Sequence, residues 1–286
     1  MRVIAVLCAL LAAAGNALAS VLQRRAARTA PREEAFRPSL VGDLVRRPVW
    51  LGGVAALIGG FVCQAAALSI AGLALVQPLL IAELPFTMLL LARVLHVRLD
   101  RRTWLAVVVM TVGIAGFLAA AAPAIGHRSP DRWDWMIAAI VTIGLIAGLV
   151  LVSVTISSAA RAALLGTATG IGFAFTATFI KATTGLLSQG FTALFTSWPL
   201  YAMVGAGLCS LFLLQNALQS GTLVAAQPAL TISDPVASVS YGVIMFGETV
   251  RTGPWIIPEV AGMGFIAYGS VRLSRSPLIH DRKEMR

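Results

Sequence analysis

QPLLIAELP at residues 77–85 and QPALTISDP at residues 227–235 are two copies of one pattern, Q-P-x6-P. Each copy places a single acid, Glu83 or Asp234, in an otherwise apolar run. Self-similarity at a distance of this kind indicates an internal duplication. What the two acids can do depends on the surroundings that the rest of the chain gives them.

Those surroundings are apolar. Of the 286 residues, 58% are hydrophobic and 12% are charged, with mean hydropathy +0.86, whereas an average soluble domain is about a quarter charged. Apolar stretches of about 20 residues match a membrane-crossing helix, and a β-barrel would show short alternating segments. We therefore predict an all-α, polytopic membrane bundle. Nine spans are predicted, over residues 3–22, 49–71, 73–95, 103–122, 134–155, 161–184, 199–219, 222–246 and 254–273.

The first span imitates a secretory signal, because Arg2 precedes an apolar run that ends in ALAS at residues 17–20. Two features favour a helix that stays in the membrane. Two arginines follow closely, and AAAGNALASVL at residues 12–22 lies over TATGIGFAFTA at residues 167–177. A retained first helix is the prediction, with a cleaved signal as the alternative.

The basic residues predict the orientation. Most of the 22 lysines and arginines lie on one face: Arg24, Arg25, Arg28, Arg32, Arg37, Arg46, Arg47, Arg93, Arg98, Arg101, Arg102, Arg161, Arg272, Arg275, Arg282, Lys283 and Arg286. The positive-inside rule makes this face cytoplasmic, so the N-terminus lies outside and the C-terminus inside. Few of the basic residues are lysines, as in a GC-rich bacterial gene, and the predicted location is the bacterial inner membrane. Lys181 is expected to snorkel to the outer surface and Glu248, near a helix end, to be solvated.

Several classes of function find no support in the sequence. The net charge of +10 is explained by orientation, so no nucleic-acid partner is expected. Cys8, Cys63 and Cys209 are isolated in apolar segments and the histidines are scattered, so neither a disulfide framework nor a zinc site is indicated. No nucleotide-binding loop and no nucleophile with a nearby base is visible, so neither an enzyme nor a cofactor is expected.

Spans one to four recur as spans six to nine. Gln64 falls on Gln215, Gln77 on Gln227 and Pro85 on Pro235. The period is five spans, an odd number, so the second copy must enter the membrane from the opposite side. Such inverted repeats are typical of secondary transporters, whose substrate site lies near the midplane. The predicted units are residues 1–155 (first repeat and connecting fifth helix), 156–276 (second repeat) and 277–286 (cytoplasmic basic tail).

The repeated helices hold the candidate site. Their prolines, expected to kink the third and eighth helices, are Pro78, Pro85, Pro228 and Pro235. A carboxylate at the membrane centre costs at least about 2.5 kcal/mol, so it usually faces a cavity, titrates or binds a cation. The candidate substrate- or ion-binding residues are Glu83, Asp234, Gln77, Gln227, Gln64 and Gln215. The alternative is that the acids cap broken helices or bond to nearby Gln, Ser or Thr side chains.

Two weaker features remain open. Gly144 with Gly148, and Gly166 with Gly170, have the G-x3-G spacing that predicts close helix packing. Glu259 lies about a turn inside the outer surface, where it is either interfacial or part of an outer vestibule.

The span order, the long basic loop after the first span and the stretch from Trp50 to Ala121 resemble the drug/metabolite transporter superfamily. Within it, the chain looks most similar to bacterial relatives of the NIPA family of magnesium transporters, over residues 3–275. Members of that family carry Gly-Glu, then Asn three residues on, then Val-Thr-Pro. The matching positions here read Gly60-Phe61, Gln64 and Val76-Gln77-Pro78, so the acid of that motif is absent and Glu83 is the carboxylate that could replace it.

Three functions are therefore weighed. The first is a secondary transporter that moves a small solute by alternating access, coupled to a proton or cation through Glu83 and Asp234. The second is a pathway for magnesium or another divalent cation, since Mg²⁺ needs only one or two carboxylates. The third is a non-transporting scaffold or lipid handler. The expected partners are a small solute or cation and the lipid bilayer, with a homodimer as an open alternative to a single chain.

Overall fold

The computed structural model of the chain describes residues 1–28, 48–94, 99–156, 158–187, 190–220 and 223–275, which are almost entirely helical. Within these ranges no strand is formed, only an isolated bridge between Ala124 and Thr249. The predicted basic tail at residues 277–286 and most of the first basic loop lie outside the described residues. The helices are α1 (Arg2–Arg28), α2 (Pro48–Ile70), α3 (Leu73–Leu80), α4 (Glu83–Val94), α5 (Arg101–Ala121), α6 (Arg132–Val154), α7 (Ser158–Leu187), α8 (Phe191–Thr196), α9 (Trp198–Ser220), α10 (Leu223–Phe246) and α11 (Ile256–Ser274).

In the described part of the chain, 8 helical segments are long and apolar enough to cross a membrane. One of them, Leu73–Val94, consists of α3 and α4 together. The ninth predicted span forms α11, which is not among the eight; it carries Glu259 and Arg272, which lower its hydropathy. The chain is thus a multi-pass helical membrane protein, and the count of nine stays a prediction.

α7 is the central helix of the bundle. In its most apolar window 67% of the residues are buried, against 11% for α6 and for α9. α7 packs against α10, α9 and α6, while α1 packs against α2 and the α3–α4 span, and α5 packs against α11. The outward faces of α6 and α9 carry large apolar side chains, as a bilayer-facing surface requires.

The third span is broken where its two prolines bracket a short segment. α3 ends at Leu80, two residues form a turn, and α4 begins at Glu83. In the turn the Leu84 amide donates to the carbonyl of Ile81, three residues back, at 3.1 Å. An α-helical bond would run to the carbonyl four residues back. A proline removes one helical hydrogen bond and crowds the preceding turn, so two prolines this close favour such a break.

The second copy of the pattern behaves differently, because α10 runs through Pro228 and Pro235 without interruption. The Thr231 hydroxyl donates to the Gln227 carbonyl at 2.8 Å, and the Ser233 hydroxyl donates to the Leu230 carbonyl at 3.3 Å. Pro228 and Pro235 free the carbonyls of Val224 and Thr231, so these two hydroxyls bond to carbonyls other than the ones that the prolines leave open. The first copy has no hydroxyl between its prolines.

Close packing at one of the two G-x3-G pairs is confirmed. A Cβ atom on Gly170 would lie 2.0 Å from Ser233 Oγ, and one on Gly166 would lie 2.4 Å from the Ala226 carbonyl oxygen, so α7 and α10 touch backbone to backbone there. A Cβ on Gly144 or Gly148 would meet nothing within 4 Å. Within the described chain that second pair makes no close helix contact, because α6 lies at the periphery.

Candidate functional site

Glu83 lies at the break in the third span, as the first residue of α4, and its side chain is half-buried. The side chain of Asn16, in the middle of α1, lies beside the Glu83 carboxylate. Asn16 is itself held against α2, since its Oδ1 would lie 2.7 Å from a Cβ on Gly60. Asn16 is absent from the set of predicted site residues, although an amide in the middle of an apolar span was a visible signal.

Asp234 is the acid of the second copy, and it is also half-buried. Its Oδ1 accepts a hydrogen bond from Ser238 Oγ at 3.1 Å, one turn further along α10. The backbone of Asp234 faces Gly170, whose Cβ would lie 2.9 Å from the Asp234 amide nitrogen. Each acid thus has one polar partner, Asn16 or Ser238, and no hydrogen bond or ion pair joins the two acids in the described part of the chain.

The four predicted amides occupy different environments. Gln77, on α3, is buried, and its Nε2 has no hydrogen-bond partner within the described residues. Gln64 and Gln227 are half-buried, whereas Gln215 is exposed. A buried amide with an open donor close to the helix break is the strongest polar candidate beside the acids, because an unmatched donor in an apolar interior is costly.

The largest departure from expectation concerns Glu248 and Lys181. The Glu248 side chain has no exposed surface, and it forms an ion pair with Lys181 Nζ. It also accepts hydrogen bonds from the backbone amides of Leu73 at 2.8 Å and Ala74 at 2.9 Å, the first amides of α3. The prediction that Glu248 is solvated is wrong, because a cation and the positive end of a helix compensate its charge inside the protein.

Lys181 does not snorkel to the surface either. Its ammonium lies 4.5 Å from the centre of the Phe246 ring, and its side chain is only 12% exposed. Two glycines make room for the ion pair: a Cβ on Gly72 would lie 2.4 Å from Glu248 Cδ, and one on Gly242 would lie 2.5 Å from Glu248 Oε2. The sequence held one signal, since Lys181 is the only lysine within a predicted apolar span.

The ion pair lies near what we call the N-terminal face, the end of the bundle that holds Arg2, residues 122–131 and residues 247–255. Arg2 Nη2 donates to the Pro123 carbonyl at 3.1 Å. Arg128 donates from Nη1 to the Ile244 carbonyl at 2.9 Å and pairs with Asp134 at 2.7 Å. These contacts hold the loop at residues 122–131 against the end of α10.

A cavity of ≈ 970 Å³ opens at this face. It is bounded by the C-terminal ends of α2 and α7, the loop at residues 122–131 and the N-terminal ends of α6 and α9. Lys181 lines it, but Glu83, Asp234 and the four candidate amides do not. The structure therefore has two separate polar regions, the acids of the repeated helices and a cavity at the N-terminal face.

Glu259, in the first turn of α11, is half-buried, and its Oε1 has no hydrogen-bond partner in the described part of the chain. Among the described residues no group of three or more His, Cys, Asp or Glu side chains is placed to hold a metal ion.

Comparison with known proteins gives one relationship. The chain is 30% identical over 257 residues to an uncharacterized protein of Corynebacterium glutamicum, and the match covers 89% of this chain and 88% of that one. No family model matches the chain. No solved structure matches it either.

Proposed function

The chain belongs to the same family as this Corynebacterium glutamicum protein, and we propose that it is a secondary transporter of the drug/metabolite type. It moves a small solute by alternating access, coupled to a proton or another cation. The observation that carries the proposal is the break in the third span, which places the half-buried Glu83 at the start of a half-helix with Asn16 beside it. Broken helices of this kind form the substrate and ion sites of many secondary transporters.

The half-helix gives Glu83 a chemical role. The first amides of an α-helix have no partner within the helix, and the helix dipole makes this end positive. In α4 the Leu84 and Phe86 amides already donate to the Ile81 and Ala82 carbonyls and Pro85 has no N–H, so the half-helix offers the half-buried Glu83 carboxylate mainly its dipole. Asp234 is the second acid, held through Ser238, and Gln77 offers a buried amide donor near the break.

The packing of the helices supports the inverted repeat that the proposal requires. α1 packs against α2 as α7 packs against α9, and α1 packs against the α3–α4 span as α7 packs against α10. α5 packs against α11, and α3 against α10, so that proposed counterparts also meet each other. Two repeats related by a two-fold axis would produce this set of neighbours. In the proposed cycle the two repeats rock about the region that holds Glu83 and Asp234.

Transport by reconstituted protein tests the proposal. Liposomes with an internal pH dye receive gradients of Mg²⁺, lipophilic amines or amino acids in turn. We expect one class to drive proton movement, and we expect Glu83→Gln and Asp234→Asn to abolish it. Asp100→Asn is the matched control, because Asp100 is an acid outside the spans, at the N-cap of α5.

The outcomes separate the residues from the function. Undiminished transport in the double variant Glu83→Gln/Asp234→Asn would show that the acids are not the coupling groups. Absence of flux for every solute class, by pH dye and by tracer, would refute transport itself. Downhill Mg²⁺ flux without proton movement would establish a magnesium pathway in place of the coupled transporter.

A further inference from the structure

The cavity at the N-terminal face is separate from the acids in the repeated helices, and several basic side chains line it. His127, Arg128, Arg132 and Lys181 line it, and Asp131 is the acid among the lining residues. The Asp131 carboxylate is already engaged, since it accepts the hydrogen bond from the Asp134 amide at 2.8 Å that caps α6. Two of the cations are already paired, Lys181 with Glu248 and Arg128 with Asp134, so net charge alone does not select a ligand. An anion would meet the remaining N–H donors of Lys181 and the exposed Arg132.

Lys181 supplies a charged donor that is largely shielded from solvent. An ammonium has three N–H donors, and the ion pair with Glu248 uses one of them. Lys181 lines the cavity with only 12% of its side chain exposed, so an anion that reached its ammonium would meet it in a largely desolvated setting. Arg132, in the first turn of α6, adds an exposed guanidinium to the same wall.

Aromatic rings form the other side of the cavity. Trp135 stacks on Phe179, with ring centres 4.9 Å apart, and Trp198 lies edge-on to both at 5.2 and 5.8 Å. All three rings line the cavity, as does Phe246. A hydrated inorganic ion would gain nothing from such a wall, whereas a flat apolar body would be desolvated against it. The volume of ≈ 970 Å³ lies within the range of about 300–1,000 Å³ that is usual for small-molecule sites.

We propose that this cavity binds a small organic carboxylate with a ring-sized apolar body. Its carboxylate contacts Lys181, with Arg132 as a second basic group, and its body lies against Trp135 and Trp198. The proposal does not require transport, because none of these residues belongs to the proposed coupling site.

Binding to the full chain in phosphatidylcholine nanodiscs tests this site, with 2-naphthoate as the probe and titration calorimetry as the readout. We expect saturable binding at one site per chain. The neutral 2-naphthamide, with the same ring, should bind about tenfold more weakly, equivalent to about 1.4 kcal/mol. 2-Naphthylmethylamine should not bind measurably. Equal affinity for the carboxylate and the amide would overturn the proposal.

Variants of the chain assign the site to its residues. Arg132→Gln changes an exposed side chain and should weaken naphthoate binding while leaving naphthamide binding unchanged. Lys181→Gln combined with Glu248→Gln removes both charges of the buried pair together and should abolish the preference for the carboxylate. Arg251→Gln is the matched control, because Arg251 lies on the same face but over the Trp255 ring and outside the cavity lining. Unaltered carboxylate preference in both cavity variants would refute the assignment.

Nanodiscs of a second lipid composition identify the source of the anion. Naphthoate binding that persists in nanodiscs containing phosphatidylglycerol supports a soluble ligand. Loss of binding in those nanodiscs, restored by returning to phosphatidylcholine, would show that an anionic lipid headgroup with its apolar chain occupies the same site. No binding of naphthoate in either lipid would overturn the proposal.

Discussion

Replacing Lys181 by methionine tests the buried ion pair most directly, because it removes the cation and keeps the apolar stem of the side chain. Glu248 has no exposed side-chain surface, so its carboxylate would retain only the backbone amides of Leu73 and Ala74. Removing one partner of a buried pair costs about 3–5 kcal/mol. Because the two remaining amide hydrogen bonds stabilise the carboxylate in part, we expect Lys181→Met to lower the free energy of unfolding by about 3 kcal/mol.

Replacing the acid of the pair should lower the free energy of unfolding by less than replacing the lysine does. In Glu248→Gln the ammonium of Lys181 keeps its contact with the Phe246 ring, and Lys181 still lines the cavity. The new amide NH₂ cannot accept a hydrogen bond, so one of the two donors on α3 loses its partner, at about 1–3 kcal/mol. The double variant, Lys181→Met with Glu248→Gln, should lose less than the sum of the single losses, because the unpaired buried charge is gone.

Unfolding of the purified chain in mixed micelles with increasing SDS, followed by circular dichroism, measures all three variants. A Lys181→Met variant whose free energy of unfolding lies within about 0.5 kcal/mol of that of the parent would behave like a surface substitution and refute the burial of the pair. A Glu248→Gln loss larger than that of Lys181→Met would contradict the asymmetry argued from the cavity.

Two further predictions use the same unfolding measurement. Gly170→Ala places a Cβ 2.0 Å from Ser233 Oγ and should lower the free energy of unfolding by about 1–3 kcal/mol. Gly144→Ala meets nothing within 4 Å and should raise the free energy of unfolding by up to about 1 kcal/mol through helix propensity. Equal effects of the two variants would contradict the packing. The Thr103 hydroxyl donates to Asp100 and lowers the pKa of that carboxyl, so its stabilisation is present above the unfolded pKa of about 3.9 and is lost as the pH falls through the folded pKa. Thr103→Val should therefore narrow the stability difference between about pH 7 and about pH 3, and an unchanged difference would contradict the hydrogen bond.

The features that follow from local sequence were predictable. Hydropathy marks eight of the spans, and the third of them breaks between its two prolines. The same proline spacing does not interrupt α10, where Thr231 and Ser233 donate to nearby carbonyls. The pattern Q-P-x6-P therefore does not by itself decide whether a helix is interrupted.

The features that depend on tertiary contacts were not predictable in this way. Lys181 and Glu248 are 67 residues apart, and each alone resembles a charge near a helix end. Their pairing depends on α3 beginning next to the end of α10, with Gly72 and Gly242 leaving room for the carboxylate. Likewise, one G-x3-G pair packs and the other does not, because burial of the helix, and not spacing, decides which glycines meet a neighbour.

The two polar regions of the molecule offer different groups, carboxylates at one and the N–H donors of Lys181 and Arg132 at the other, and this constrains what each can do. A carboxylate ligand that enters by the cavity at the N-terminal face meets Lys181 and Arg132, but further in it would be repelled by ionised Glu83 and Asp234. If such a ligand is the transported solute, the acids must carry the coupling proton and not the solute. Glu83→Gln should then stop proton movement while leaving naphthoate binding at the cavity intact. Loss of both in that variant would mean that the two regions form one site.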